Sequence, residues 1–205
     1  MPKVLLLHTG GTLGMAGGRP SALRPAAFFR TLKQRVPELF RLADIELELF
    51  SNLDSSEMQP ELWSRMAAHL HQRLPHFDGA VVTHGTDTLA YTASALSFML
   101  RGLPRPVVLT GSQRPLTDVR TDARTNLVDA CLLATSRIPE VGIAFGSKLM
   151  QPTVATVGAF ALLARSRRKV TTRAAAWPAS RRIDIGVVPA WLASPSMVTR
   201  CQEMP

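Results

Sequence analysis

The chain has 205 residues, 46% hydrophobic and 19% charged, with a net charge of +9. That is enough apolar sequence for one large core, or one domain with an appendage. It excludes a bilayer-spanning helix, since no apolar run approaches the roughly 18 residues required, and the opening MPKVLLLHTGG is too short for a signal-peptide core of about 7 to 15 residues.

The excess charge is uneven. Residues 151–205 hold 8 of the 24 Lys and Arg but only 2 of the 15 Asp and Glu, so +6 of the +9 lies in that last quarter. The run Arg165-Ser166-Arg167-Arg168-Lys169 offers cations for phosphate but has no interleaved aromatics and no reader motif. No nucleic-acid partner is expected, and no membrane partner. The two cysteines, Cys131 and Cys201, form no metal or redox spacing, and Cys131 in LVDACLLA reads as an inert buried helix thiol. A cytoplasmic protein is expected.

In chain order, Val4–His8 is strand-like and runs into Thr9-Gly10-Gly11-Thr12-Leu13-Gly14. Paired glycines let backbone approach a ligand, and the threonines supply hydroxyls. The spacing is neither GxGxxG nor a P-loop. Met15–Arg24 reads as a mobile loop, and Pro25 opens a helix over Ala26–Arg35 that Pro37 stops. Ile45–Phe50 alternates as IELELF, a strand with one polar face near a sheet edge. Ser51-Asn52-Leu53-Asp54-Ser55-Ser56 then forms a polar cluster at the strand's end; a turn and helix cap would suffice to explain it.

A helix opens at Pro60 and presents Leu62, Trp63, Met66, Ala67, Leu70 and Leu74 along one face. His69, His71 and His76 lack the spacing of paired ligands and read as surface residues. The stretch from Gly79 organises the rest: GAVVT is a short buried strand, HGTDT follows, and TLAYTASALSFML reads as a buried helix. Gly102 and Pro104 end that helix. Pro106–Thr110 is a fourth strand ending in Gly111-Ser112-Gln113-Arg114-Pro115, Thr121–Ser136 a helix capped by Thr121 or Asp122, and Val141–Phe145 a fifth strand.

This alternation predicts an α/β fold, a doubly wound and mostly parallel sheet with helices on both faces. Four successive strands end in Thr, Ser, Asp and Gly clusters, where open α/β sheets bind ligands. Thr12 and Thr86 are candidate nucleophiles if a base assists them. Backbone N–H groups at Gly11 or Gly85 are candidate oxyanion donors. Asp87, Asp54, Ser55 and Ser56 have the groups to hold a small zwitterion. With no metal constellation and no Gly-x-Ser-x-Gly, acyl transfer on a small polar substrate is the expected chemistry, without a metal or cofactor.

The segments HTGGTLGM, LDSSEM, GAVVTHGTDTLAYTASALSFML and PVVLTGSQRPL resemble the bacterial L-asparaginase family, and LDSSEM and AYTASALSFML resemble its cytoplasmic type I branch. The resemblance covers roughly residues 3–150, the larger part of that family's N-terminal domain. It implies an amidohydrolase converting L-asparagine to L-aspartate and ammonia through a threonine-bound acyl intermediate. By motif position, Thr12 matches the nucleophile of the first signature, and Thr86 and Asp87 match the second cluster, with Asp87 also receiving the substrate's amino group. Ser55 and Ser56, beside Asp54, match residues that grip the α-carboxylate; Thr9, Gly11, Gly85 and Ser112 would shape the pocket floor.

Three departures accompany these matches. The family places a tyrosine on the loop after the first signature, whereas Met15–Arg24 has none and Ser21 is the available substitute. The family's activating lysine lies about a dozen residues beyond the fifth strand; Lys148 comes too early and Lys169 is no match. The likeness stops near Met150, which implies a domain at 1–150 and a basic tail at 151–205, replaced by a shifted reading frame or otherwise. The competing expectation is a short member whose tail forms a helix over Val154–Leu163 and a strand over Ile183–Val188. The family completes its sites with a neighbouring subunit's C-terminal domain, expected to be missing here, so a homo-oligomer is implied by kinship yet weakened by length. The alternatives to an active asparaginase are a catalytically dead remnant that binds small amino acids, and amidotransferase work on charged tRNA, which would use the basic tail.

Overall fold

A computed structural model describes residues 1–15, 25–136 and 138–152. Five parallel strands and one antiparallel strand form a single sheet: β1 (Lys3–Gly10), β2 (Asp44–Leu53), β3 (Gly79–Thr83), β4 (Val107–Thr110), β5 (Val141–Phe145) and β6 (Lys148–Met150), in the order β2-β1-β3-β4-β5-β6. The connecting helices are α1 (Pro25–Arg35), α2 (Leu39–Leu42), α3 (Pro60–Arg73), α4 (Leu89–Met99) and α5 (Ala123–Ala134).

The helices divide between the faces because strand side chains alternate with period two. On β1, Leu5 and Leu7 point to one face, into a cluster with Met66 and Leu70 of α3 and Leu89, Ala93 and Leu96 of α4. Val4 and Leu6 point to the other, with Phe28 and Leu32 of α1, Leu39 of α2 and Leu127 and Cys131 of α5. Both faces being covered, β3 and β4 read as continuous apolar runs. Cys131 is buried, and desolvation pushes its thiol up to about 11, which leaves it inert at neutral pH.

β2 lies at the sheet edge, as its alternation predicts. Its polar face is not left to water, however. Glu46 pairs with Lys3 and Arg73, and Glu48 pairs with Arg73 and with His69 at 2.6 Å. His69 is a half-buried surface residue held against the strand; His71 and His76 are exposed. The α3 backbone brings these partners over the edge strand, a pairing that no spacing within the helix announces.

Two elements carry no periodic signal in the sequence. α2 is a single turn after Pro37, too short to show a period. β6 folds back on β5 through Gly146 and Ser147, both at φ 56°, the left-handed pair that a two-residue hairpin needs. The expected helix over Val154–Leu163 and strand over Ile183–Val188 lie outside the described residues, as does Ser21.

The strand order reverses between β1 and β3. β1 is followed by its neighbour on one side, and β3 begins the run on the other. At such a switch point the connections leave in opposite directions and open a crevice beyond the carboxyl ends of the two strands. The chain ends that crevice with Gly10-Gly11-Thr12 and with His84-Gly85-Thr86.

Candidate active site

At the tip of β1, Gly10 and Gly11 have φ of 119° and 82°, and Thr12–Gly14 follow as one 3-10 turn. At the tip of β3, Thr83, His84 and Gly85 are buried before the chain surfaces at Thr86 and Asp87. These two tips touch: a Cβ on Gly11 would lie 2.5 Å from both N and Cα of Gly85. The loop after β2 joins them, since a Cβ on Gly85 would lie 2.5 Å from Ser55 Oγ and 2.7 Å from Ser55 Cβ. The loop after β4 closes on the other side, where a Cβ on Gly111 would lie 2.4 Å from the His84 carbonyl oxygen and 3.6 Å from Thr86 Cγ2. Four consecutive strand ends thus meet at glycines, because no larger residue permits that approach.

Thr12 and Thr86 are each one residue beyond this Gly11–Gly85 contact, and both are partly exposed. Asp87 is exposed. Ser55 is buried against Gly85, its carbonyl accepting a 2.7 Å hydrogen bond from Thr88 Oγ1. Asp54 and Ser56 are exposed and committed to each other: the Asp54 carboxylate accepts from the Ser56 N–H at 2.9 Å and from its hydroxyl at 2.8 Å. Those two bonds hold the Asp54 carboxyl below the usual carboxylate range. This is cap geometry for the short turn at Ser55–Glu57.

Two residues expected on the pocket floor have their hydroxyls engaged by backbone. Thr9 is buried and its hydroxyl donates to the Thr83 carbonyl at 3.0 Å, while buried Ser112 donates to the Arg114 carbonyl at 2.6 Å. Both hydroxyls are used to brace strand ends. Lys148 is exposed on β6.

The β4 loop is held from α5. Thr121 caps this helix by accepting from the Ala123 N–H, so of the two candidate caps the hydroxyl serves. The Asp122 carboxylate accepts from the N–H groups of Gln113 and Arg114 instead. Buried Asn126 donates to the Gly111 carbonyl at 2.9 Å and accepts from the Gly146 N–H at 3.0 Å. Asn126→Leu would strand both backbone groups, and about 2–3 kcal/mol of stability should be lost, readable as a shift of the urea midpoint. In the sequence nothing sets Asn126 apart from its helical neighbours.

Two imidazoles lie under the site. His84 is fully buried; Nδ1 is 2.7 Å from the Gly85 carbonyl oxygen and Nε2 is 3.0 Å from Thr92 Oγ1. Thr92 Oγ1 in turn receives the Trp63 Nε1–H at 2.9 Å. Desolvation lowers the pKa of His84, against which the bond to Gly85 acts only partly. His8 is also buried, with Nδ1 2.6 Å from Thr83 Oγ1, its ring against Phe28, and no partner for Nε2 among the described residues.

Burial lowers the pKa of His8 from 6.5 to about 4. Across that interval the unfolded chain takes up a proton that the folded chain refuses, so stability falls as pH drops. Up to about 3 kcal/mol should be lost between pH 6.5 and 4, with His84 acting in the same direction. Urea midpoints across this range test it; His8→Asn, which has nothing to titrate, should flatten the slope.

Among the described residues, no three of His, Cys, Asp and Glu gather as metal ligands. The grouping places two partly exposed threonines on touching loops, with backbone N–H groups beside them and a carboxylate one residue from Thr86.

A family model described as asparaginase, N-terminal, matches residues 3–177, running past the compositional break at 150. L-asparaginase 1 of Escherichia coli K12 is 39% identical over 151 residues, 72% of this chain and 45% of that protein. One subunit of the glutamyl-tRNA(Gln) amidotransferase of Pyrococcus abyssi is 41% identical over 143 residues, 69% of this chain and 33% of that protein. The solved structure of the thermostable L-asparaginase from Thermococcus kodakarensis superposes with a TM-score of 0.65 at 42% identity, over 74% of this chain and 46% of that one. The chain thus spans a third to just under half of the relatives it matches.

Proposed function

Because the chain belongs to the asparaginase family through that family's N-terminal domain, we propose that it carries the nucleophilic half of an amidohydrolase site that converts L-asparagine to L-aspartate and ammonia. The observation that supports this reading is the meeting of Gly11, Gly85 and Ser55, with partly exposed Thr12 and Thr86 each one residue beyond the contact. In the proposed reaction Thr12 Oγ attacks the side-chain amide carbon. The hydroxyl proton passes to the departing nitrogen, which leaves as ammonia, and an aspartyl ester remains on Thr12. Water then cleaves the ester, restoring the hydroxyl and releasing aspartate. Thr86 and Asp87 act from the facing loop, Asp87 holding the substrate's α-amino group; buried Ser55, with Ser56, takes the α-carboxylate.

Holding two reacting groups in attack geometry is worth roughly 7–11 kcal/mol of barrier. The touching strand ends supply one side of that enclosure. The chain covers less than half of its relatives' length, so activity is proposed for a protein whose pocket is closed on the far side, in the family manner by a neighbouring subunit.

Amide hydrolysis within a tRNA-dependent amidotransferase is the second reading, supported by the relatives named as amidotransferase subunits at the same level of identity. Ammonia release from L-asparagine by the purified chain supports the first reading. Release that appears only when glutamyl-tRNA is supplied supports the second. Binding of L-asparagine in a calorimeter without turnover leaves a remnant that binds small amino acids.

A further inference from the structure

We propose that Trp63 and Thr92 are positioning residues for the threonine turn: through a one-way chain of hydrogen bonds they hold His84 in its Nδ1–H tautomer, and His84 fixes the Gly85–Thr86 peptide. The significance of that peptide rests on the reading of Thr86 as a site residue; the chain of bonds does not.

The direction of the chain follows from its two ends. A backbone carbonyl only accepts, so the Gly85 oxygen requires the proton on His84 Nδ1. An indole N–H only donates, so Trp63 must give its hydrogen bond to Thr92 Oγ1. His84 is buried and neutral, which leaves Nε2 bare. The single hydroxyl proton of Thr92 therefore points at Nε2. Every polar atom in the series is satisfied, and reversing any one bond would leave two donors or two acceptors facing each other in a buried place.

Such a chain delivers orientation. The peptide between Gly85 and Thr86 is trans, so its carbonyl and N–H point in opposite directions. With the Gly85 oxygen held inward by the imidazole, the Thr86 N–H is turned away from the ring. The two helices that supply Trp63 and Thr92, α3 and α4, pack on the same face of the sheet. Their packing thereby sets the attitude of a loop to which neither contributes a residue. The same bonds remove His84 from acid–base work: its Nε2 faces Thr92 in the interior, and its Nδ1 proton is held by a carbonyl. The imidazole of the HGTDT sequence is thus a strut, and a base for Thr12 or Thr86 must come from elsewhere.

The test uses Thr92→Val, which keeps shape and removes the hydroxyl, Thr92→Ser, which restores it, and Trp63→Phe, which removes the indole donor together with part of the ring packed on the core. Side-chain 15N spectra of the parent should show His84 protonated on Nδ1 and bare on Nε2. Thr92→Val should shift the Thr86 amide resonance and speed its hydrogen exchange at least about tenfold, with Thr92→Ser near the parent and Trp63→Phe between. In ammonia release, Thr92→Val should lower kcat about 10- to 100-fold with KM within about threefold, and Thr92→Ser should recover it. An Nε2–H tautomer in the parent, or a Thr92→Val protein with an unmoved Thr86 amide, overturns the proposal. A parent that releases no ammonia overturns the reading of the site and leaves the spectral result to decide the relay.

Discussion

Thr12→Ala and Thr86→Ala are each expected to lower ammonia release from L-asparagine by about 10³-fold or more. The size of the effect follows from the lack of a substitute. Of the other hydroxyls near the strand ends, those of Thr9 and Ser112 are buried and donate to backbone carbonyls, and that of Ser56 is bound to Asp54. Thr9 and Ser112 cannot turn into the crevice without giving up the bonds that brace their strand ends. The two losses should not add, because groups that act on one bond fail together. Both threonines are partly exposed, so stability should stay within roughly 0.5 kcal/mol of the parent. Thermal denaturation beside the ammonia assay separates lost chemistry from lost fold. Variants that retain the parent rate would remove the threonines from the reaction.

The second large effect belongs to the backbone. Gly11→Ala should destabilise the chain by about 2–4 kcal/mol, because its Cβ would lie 2.5 Å from the Gly85 backbone and its φ of 82° strains any L side chain. Gly102→Ala is the control. Its φ is 83°, nearly the same, but nothing stands within 4 Å of the added carbon. There only the conformational strain remains, about 1–2 kcal/mol. The difference between the two urea midpoints isolates the clash from the strain. Equal losses would mean that the tips of β1 and β3 do not touch.

The five parallel strands and the two-faced helix arrangement are legible in the sequence because each rests on a local pattern. GAVVT is a short run bounded by Gly and polar residues, Pro25 and Pro60 mark helix starts, and IELELF alternates as an edge strand does. The convergence of the polar tips is legible for a topological reason, since parallel strands place all their carboxyl ends on one side. What the sequence conceals is pairing between elements. Glu48 with His69, Asp122 with the loop after β4, Asn126 between Gly111 and Gly146, and Trp63 with Thr92 join residues that no period connects. The backbone bonds of Thr9 and Ser112 are hidden for the same reason: a hydroxyl at a strand tip looks alike in sequence whatever carbonyl it donates to. β6 stays hidden although Gly146-Ser147 is a recognisable two-residue turn, because three residues are too few to alternate.

Turnover as proposed requires a hydroxyl of the β1 tip to become acylated by a substrate held at the β3 tip. The most direct measurement is peptide mass spectrometry of the chain, acid-quenched during turnover of L-asparagine. The result expected is an aspartyl ester on the peptide containing Thr12, absent from Thr12→Ala. Ammonia released with no ester on that peptide, or an ester that survives in Thr12→Ala, would contradict it.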